Sequence, residues 1–121
     1  MVLDNAKYKE YLGIDVPDDA QGVLQDVHWC SGAIGYFPTY SIGNLYAVQL
    51  FEAAQKQIPD LNAKIARGEF KEIREWLRKN IHSQGKRYSA SDLVKKVTGE
   101  SLNSRYFTEY LEKKYKDIYK I

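Results

Sequence analysis

The sequence contains a single cysteine, Cys30, and no apolar run that approaches the roughly 20 residues needed to cross a bilayer. One cysteine cannot form a disulfide within the chain, which is typical of proteins that remain in a reducing compartment. Charged side chains between Asp4 and Glu10 leave the N-terminal residues without the apolar core of a secretion signal. These absences predict a cytoplasmic protein with no membrane partner, in which Cys30 is a small buried apolar residue.

Histidine is scarce as well, and the two copies, His28 and His82, lie far apart in the sequence. A catalytic zinc normally takes three ligands from His, Glu, Asp or Cys, and two of them often come from H-E-x-x-H on one helix. The chain has no such motif, and nothing in the spacing of His28, His82 and Cys30 supports a shared site. The residues therefore predict no metal site and no cofactor within this chain.

The net charge of +2 conceals an uneven distribution along the chain. Residues 1–60 carry three lysines and eight acidic residues, a balance of −5, whereas residues 61–121 carry fifteen basic and eight acidic residues, a balance of +7. A basic half can indicate a nucleic-acid surface. However, acids and bases are interleaved in 69–75 and 109–114, which is typical of a solvated helix face. We expect no nucleic-acid partner, and salt-sensitive binding of DNA or RNA would support the alternative.

Glycine and proline divide the chain into segments with helical periodicity. No stretch alternates strongly enough to predict a strand, so the expected class is all-α, with residues 1–121 as a single helical domain. Ser89–Asp92 reads as a capping box that starts one helix. The predicted helices run from Asp4 to Leu12, over a short segment opened by Pro17, from Pro38 to about Gln57, from Pro59 to Gly68, from Phe70 to Ile81, from Ser89 to Gly99, and over a last segment containing Tyr106 to Ile118.

One segment, Val27–Pro38, differs from the rest because it combines glycines with aromatic side chains. Glycine breaks helical continuity and lets the backbone approach other groups closely. Such a loop is either buried against another element or lines a site. The chemistry alone leaves two interpretations open: a buried polar turn in which Asp26 caps or pairs with His28, or part of a binding site. The candidate residues are Gln25, Asp26, His28, Trp29, Tyr36 and Tyr40.

The same region carries a resemblance to a known family. Gly22–Trp29 has the form G-x-x-Q-D-x-H-W, and Gly35–Tyr40 follows it with the sequence GYFPTY. Further matching positions include Gln49, the pair Thr98-Gly99 and the aromatic segment Tyr106–Leu111. On these residues the chain resembles the carboxypeptidase Taq family of thermostable zinc metallocarboxypeptidases over essentially its whole length.

The resemblance implies that the chain is the helical C-terminal part of a larger all-α metallopeptidase. In that family H-E-x-x-H and a downstream Glu bind zinc, and the metal polarises the scissile carbonyl and lowers the pKa of its bound water. Those residues belong to an N-terminal portion that this chain does not match. The resemblance therefore implies zinc, or cobalt, in the intact enzyme, and a chain that has no protease activity alone.

Roles for the candidate residues also follow from the resemblance. Tyr36 is expected to stabilise the oxyanion of the tetrahedral intermediate, and His28 to hydrogen-bond the peptide substrate near the scissile bond. Asp26 would orient His28 and fix its tautomer. Gln25, Trp29 and Tyr40 would shape the substrate pocket. Together with Asp26 they form the expected substrate-binding set, and Tyr36 and His28 are the expected catalytic pair.

Two functions remain in competition at this point. The first is the substrate-side portion of a hydrolase that removes single residues from peptide C-termini, with a separate N-terminal catalytic portion as its partner. It predicts exposed apolar surface and self-association of the chain alone. The second is a non-catalytic helical interaction module, which predicts a stable fold and a defined oligomer. Light scattering coupled to size-exclusion would separate a discrete oligomer from heterogeneous association.

Overall fold

A computed structural model describes residues 2–121, with side chains from residue 5 onward. The described residues are helices and connecting turns without any strand, which confirms the all-α class. Two single-turn 3-10 helices, Val23–Gln25 and His82–Gln84, accompany the six α-helices. The α-helices are α1 (Val2–Leu12), α2 (Pro38–Gln57), α3 (Leu61–Ala66), α4 (Lys71–Asn80), α5 (Ala90–Thr98) and α6 (Arg105–Tyr119).

The chain divides into two compact units, Met1–Thr39 (unit 1) and Tyr40–Ile121 (unit 2). The expectation of one domain over residues 1–121 stays a prediction. No helix within residues 2–121 combines the length and the apolar character that spanning a bilayer requires.

Most helix ends lie where the sequence places them. α1 ends at Leu12, where Gly13 adopts a left-handed φ of 69° and donates its amide to the Lys9 carbonyl at 3.1 Å. α2 begins at Pro38 and ends at Gln57, as predicted. Proline suits the first helical position because an amide proton there would have no partner within the helix. Ser89 caps α5 by accepting the Asp92 amide at 3.2 Å. The Asp92 carboxylate accepts from the Ser89 hydroxyl, however, so the reciprocal half of a capping box is not formed with the Ser89 amide.

Two predicted helix starts are wrong. No helix opens at Pro17, because Asp18 accepts the Gln21 amide at 2.8 Å and closes a turn, and Gly22 then leaves helical geometry at φ −118° and ψ −115°. Side-chain bonds of this kind offer the backbone an alternative to helix. The helix expected from Pro59 begins only at Leu61, since Asp60 adopts a left-handed φ of 55°.

The buried core lies in unit 2, where the end of α2 packs with residues from α3 and α4. Trp76 is the largest member, and its indole N–H donates to Gln57 Oε1 at 2.9 Å, so the one polar atom of the ring is satisfied. The buried cluster consists of Ala53, Ala54, Ile58, Leu61 and Trp76, with Ile65, Ile73, Leu77, Ile81 and Val97 packed against it.

A buried glutamine fastens α2 to the segment that joins α5 and α6. Gln49 is 1% exposed, and its amide nitrogen donates to Thr98 Oγ1 at 3.1 Å and to the Ser101 carbonyl at 3.2 Å. Its amide oxygen accepts from the Asn103 backbone at 2.9 Å. Burying an amide is costly unless its groups are hydrogen-bonded, and here both ends are. This network fixes the register of three elements of unit 2.

Unit 1 has a different character. Among its described side chains, residues 5–39, Gly22 is the single buried position, and the others are half-buried or exposed. Its structure is carried by α1, the 3-10 turn at Val23–Gln25 and a series of tight turns.

Candidate functional site

The candidate site is built on two consecutive turns that reverse the chain between Asp26 and Phe37. The Ala33 amide donates to the His28 carbonyl at 2.8 Å, and the Tyr36 amide donates to the Ala33 carbonyl at 3.2 Å. Gly32 and Gly35 stand at φ 73° and 75°, a left-handed conformation that side-chain-bearing residues rarely adopt. The glycines therefore allow the chain to fold back over the histidine.

This reversal brings the predicted catalytic pair together. The rings of His28 and Tyr36 are stacked, with centroids 5.6 Å apart and planes inclined by 27°. Phe37 meets the imidazole edge-on at 5.5 Å. The His28 side chain keeps 21% of its surface exposed. The imidazole therefore packs against both aromatic rings and keeps part of its surface exposed.

Asp26 fixes the other edge of the imidazole. One carboxylate oxygen, Oδ1, accepts from the His28 backbone amide at 2.9 Å and from His28 Nδ1 at 2.6 Å. With the Nδ1 proton directed at the carboxylate, Nε2 is an acceptor in neutral His28 and a donor in the imidazolium. Asp26 thus fixes the tautomer of neutral His28, with the proton on Nδ1.

The same two hydrogen bonds hold the pKa of the Asp26 carboxyl below its ordinary value of 3.8, with the backbone amide of His28 as the larger cause and the His28 side chain next. A lowered carboxyl pKa stabilises the folded state fully above pH 3.8, and this contribution disappears as the pH falls through the lower native pKa. We expect carbon-13 NMR to show the Asp26 carboxyl titrating below pH 3.8. The Asp26→Asn variant identifies the Asp26 resonance by its disappearance. A titration midpoint at or above pH 3.8 would contradict the hydrogen bonds between Asp26 and His28.

Gln25 and Trp29 face a different feature, an open pocket of about 550 Å³ within unit 1. The Gln25 amide donates to the Ala20 carbonyl at 2.5 Å, and the Trp29 side chain is largely exposed. His28 and Tyr36 do not line this pocket. Its walls are formed by Lys7, Tyr8, Tyr11 and Leu12 of α1 together with Gly22, Val23, Gln25, Asp26, Trp29 and Phe37.

The sixth candidate, Tyr40, lies in the first turn of α2 in unit 2, whereas the other five belong to unit 1.

Sequence reasoning missed the contribution of α1 to the pocket. The signal was present, since Tyr8, Tyr11 and Leu12 share one helix face, but periodicity does not reveal what that face meets.

Position 22, the first of the G-x-x-Q-D-x-H-W segment, requires glycine because its surroundings leave no room for a side chain. A Cβ there would stand 2.6 Å from Val16 Cγ1 and 3.3 Å from the Asp18 carbonyl oxygen. We expect Gly22→Ala to lower the local opening free energy of residues 16–28 by about 1–3 kcal/mol, because an added methyl must displace a neighbour. Amide hydrogen exchange measures this. Adding Val16→Ala should restore slow exchange, and a Gly22→Ala variant with unchanged exchange would contradict the steric interpretation.

The described residues do not fit a metal ion by themselves. Among the side chains described, those of residues 5–121, no group of three His, Cys, Asp or Glu is placed to hold one. Cys30, expected to be buried, is exposed instead, because it lies in the turn that follows His28, where few side chains pack around it. The expectation of a buried Cys30 was wrong. Cysteine is buried in most proteins, but this tendency does not apply to a turn that has no apolar core packed against it.

Comparison with known proteins identifies the family. The family model described as carboxypeptidase Taq (M32) metallopeptidase matches residues 3–115. Carboxypeptidase 1 of Bacillus subtilis (strain 168) is 47% identical over 115 residues, which cover 95% of this chain and 23% of that protein. Thermostable carboxypeptidase 1 of Thermus thermophilus is 48% identical over 113 residues, covering 93% and 22%.

A solved structure agrees with these sequence relatives. The M32 carboxypeptidase from Deinococcus radiodurans R1 superposes with a TM-score of 0.90 at 38% identity, over 97% of this chain and 24% of that one. The chain thus spans less than a quarter of the length of the relatives it matches. With the family match extending over nearly all of its residues, the chain belongs to the carboxypeptidase Taq (M32) metallopeptidase family.

Proposed function

We propose that this chain is the substrate-side portion of a metallocarboxypeptidase that releases single residues from peptide C-termini. The observation that carries the proposal is the Asp26–His28–Tyr36 arrangement in a member of a metallopeptidase family. Because the described residues hold no ligand set for the metal, the metal, zinc or cobalt, is held by residues of an N-terminal catalytic portion. The chain is accordingly inactive alone, and the assembled enzyme acts on peptides in the cytoplasm.

Tyr36 supplies the oxyanion donor in this proposal. Its phenol O–H donates to the oxygen that becomes negatively charged when the scissile carbonyl turns tetrahedral. A hydrogen-bond donor that is already in position stabilises the negative charge of the tetrahedral oxygen more than it stabilises the neutral carbonyl. It therefore lowers the activation free energy of the chemical step. The stacking of Tyr36 on His28 restricts the ring before substrate arrives.

His28 holds the peptide beside the scissile bond. With Nδ1 committed to Asp26, neutral His28 offers Nε2 as an acceptor for a substrate N–H. Asp26 acts through His28 and is a positioning residue. Gln25 and Trp29, which line the pocket of unit 1, contact the substrate in this proposal, and the assignment of Tyr40 to the substrate-binding set stays a prediction.

A second candidate function is a non-catalytic helical interaction module. The observation that favours it is the buried core of unit 2, which gives that unit apolar packing of its own. The two functions differ in one respect: only the first requires Tyr36 and His28 to contribute to peptide hydrolysis.

A chimera tests the proposal. The N-terminal portion of the Bacillus subtilis carboxypeptidase 1, up to the start of the matching region, is joined to this chain in place of its own C-terminal segment. We expect metal-dependent release of the C-terminal residue from a blocked dipeptide, and none from the N-terminal portion alone. A folded, metal-loaded chimera that is inactive beside an active parent enzyme would contradict the proposal and favour the interaction module.

A further inference from the structure

The charged side chains of unit 2 pair with one another in some segments and not in others. In the first of the two interleaved segments, Glu69 pairs with Arg67 at 2.7 Å and Glu72 pairs with Lys64 at 2.8 Å. The interleaving that argued against a nucleic-acid partner therefore reflects charges that neutralise each other. This argument does not extend to segment 79–96, where five basic residues accompany a single acid.

Segment 79–96 carries a net charge of +4 with histidine neutral. Its one acid, Asp92, accepts a hydrogen bond from the Ser89 hydroxyl at 2.6 Å at the start of α5. Among the residues that the structure describes, none of the five bases of this segment has a carboxylate within 4.0 Å of its charged nitrogens. These five exposed bases, the basic cluster, are Lys79, Lys86, Arg87, Lys95 and Lys96.

Local contacts connect the parts of the basic cluster. The Lys79 carbonyl accepts from the Ser83 hydroxyl at 2.9 Å, so the chain turns directly after α4. The Lys96 ammonium lies over the ring of Tyr88, the residue after Arg87, at 5.0 Å from the ring centroid. The end of α4 is thereby tied to the turn, and the turn to α5. Positive charges gathered in this way without counter-charges raise the local potential and attract anions.

The surface around the basic cluster has no apolar centre. Among the described residues, large exposed apolar side chains occur before it at Phe70 and after it at Tyr110, and none lies between these two positions. Interfaces between proteins place aromatic and aliphatic side chains at their centre. Interfaces with nucleic acids are more polar and much more positively charged. The basic cluster therefore fits a partner that is bound through charge rather than through apolar contact.

We infer that the basic cluster is a binding surface for the phosphodiester backbone of a nucleic acid. Lysine and arginine neutralise backbone phosphates, and the counterions released from the strand drive the binding. Contacts of this kind carry no sequence information, so the binding is independent of base sequence. Binding of this type has a Kd of about 10⁻⁴–10⁻⁶ M at physiological salt. The surface lies outside the candidate site, and the inference does not depend on the proposed function.

Fluorescence anisotropy with a labelled single-stranded DNA oligonucleotide tests the inference on the 121-residue chain. Each phosphate neutralised on a single strand contributes about −0.7 to the slope of log K against log salt concentration, so three to five contacts give a slope between about −2 and −3.5. A second oligonucleotide of unrelated base sequence should bind with the same affinity. The assay contains no metal and no peptide, so its result is separate from that of the chimera.

Two double variants distinguish the basic cluster from net charge. Lys86→Gln with Arg87→Gln should weaken binding several-fold and make the slope shallower by about 1.4, because two phosphate contacts are lost. Lys113→Gln with Lys114→Gln removes the same charge from α6 and should leave affinity and slope unchanged. All four residues are exposed, so both variants should fold, and helical circular dichroism checks this.

Three results would overturn the inference. The first is the absence of binding at low salt, and the second is an equal loss of affinity in the two double variants. The third is competition by a polyglutamate chain as effective as that of unlabelled oligonucleotide at equal charge concentration, which would assign the basic cluster to an acidic polypeptide instead.

Discussion

Replacing Tyr36 with phenylalanine should lower the kcat of the chimera by about 100- to 1000-fold, with little change in KM. The variant removes one hydroxyl and keeps the ring, so the stacking on His28 survives and the loss is that of the oxyanion donor. An interaction made mainly in the transition state affects kcat, whereas one made equally with bound substrate affects KM. Steady-state hydrolysis of a blocked dipeptide separates the two.

A second tyrosine provides the control for this variant. Tyr119 lies in α6 of unit 2 and is 66% exposed, and Tyr119→Phe removes the same atom from a surface position. Its kcat should match that of the unmodified chimera. The assigned role of Tyr36 is wrong if Tyr36→Phe retains its kcat, or if it only raises KM.

The free energy of unfolding of the 121-residue chain should fall by about 3–5 kcal/mol in Trp76→Ala. Trp76 is 8% exposed and belongs to the buried cluster of unit 2, so truncation removes a large apolar side chain and leaves a cavity. It also removes the N–H that pairs with Gln57 Oε1. Denaturant unfolding followed by helical circular dichroism measures the change.

Phe70 is the matched aromatic for this test because it is 57% exposed and precedes α4 directly. Phe70→Ala should change the unfolding free energy by about 0.5 kcal/mol or less, as surface substitutions usually do. Similar losses in both variants would show that unit 2 is not organised around the Trp76 cluster.

The helices of this fold could be predicted largely from local signals. Pro38, Gly13 and Gly99 mark helix ends because proline lacks an amide proton and glycine accepts left-handed φ, and these effects need no tertiary partner. Pro17 failed as a helix start because the Asp18 side chain closes a competing turn. The exposure of Cys30 could not be predicted either, since burial depends on what packs around a turn.

The candidate site was only partly accessible from the sequence. The pairing of Asp26 with His28 follows from their spacing, since a carboxylate two residues before a histidine can reach both its amide and its ring. The approach of Tyr36 to His28 depends on left-handed turns at Gly32 and Gly35, and it was expected only through the family resemblance. The pocket against α1 requires tertiary placement that no local pattern specifies.

The most direct test of this chain's role is a carboxypeptidase assay on the pure 121-residue chain with zinc or cobalt added, using a blocked dipeptide. Since the proposed function places the metal ligands in an N-terminal catalytic portion, we predict no release above background from the chain alone. Metal-dependent release that disappears in His28→Ala would show that the chain assembles its own metal site, and would contradict its assignment as the substrate-side portion of a larger enzyme.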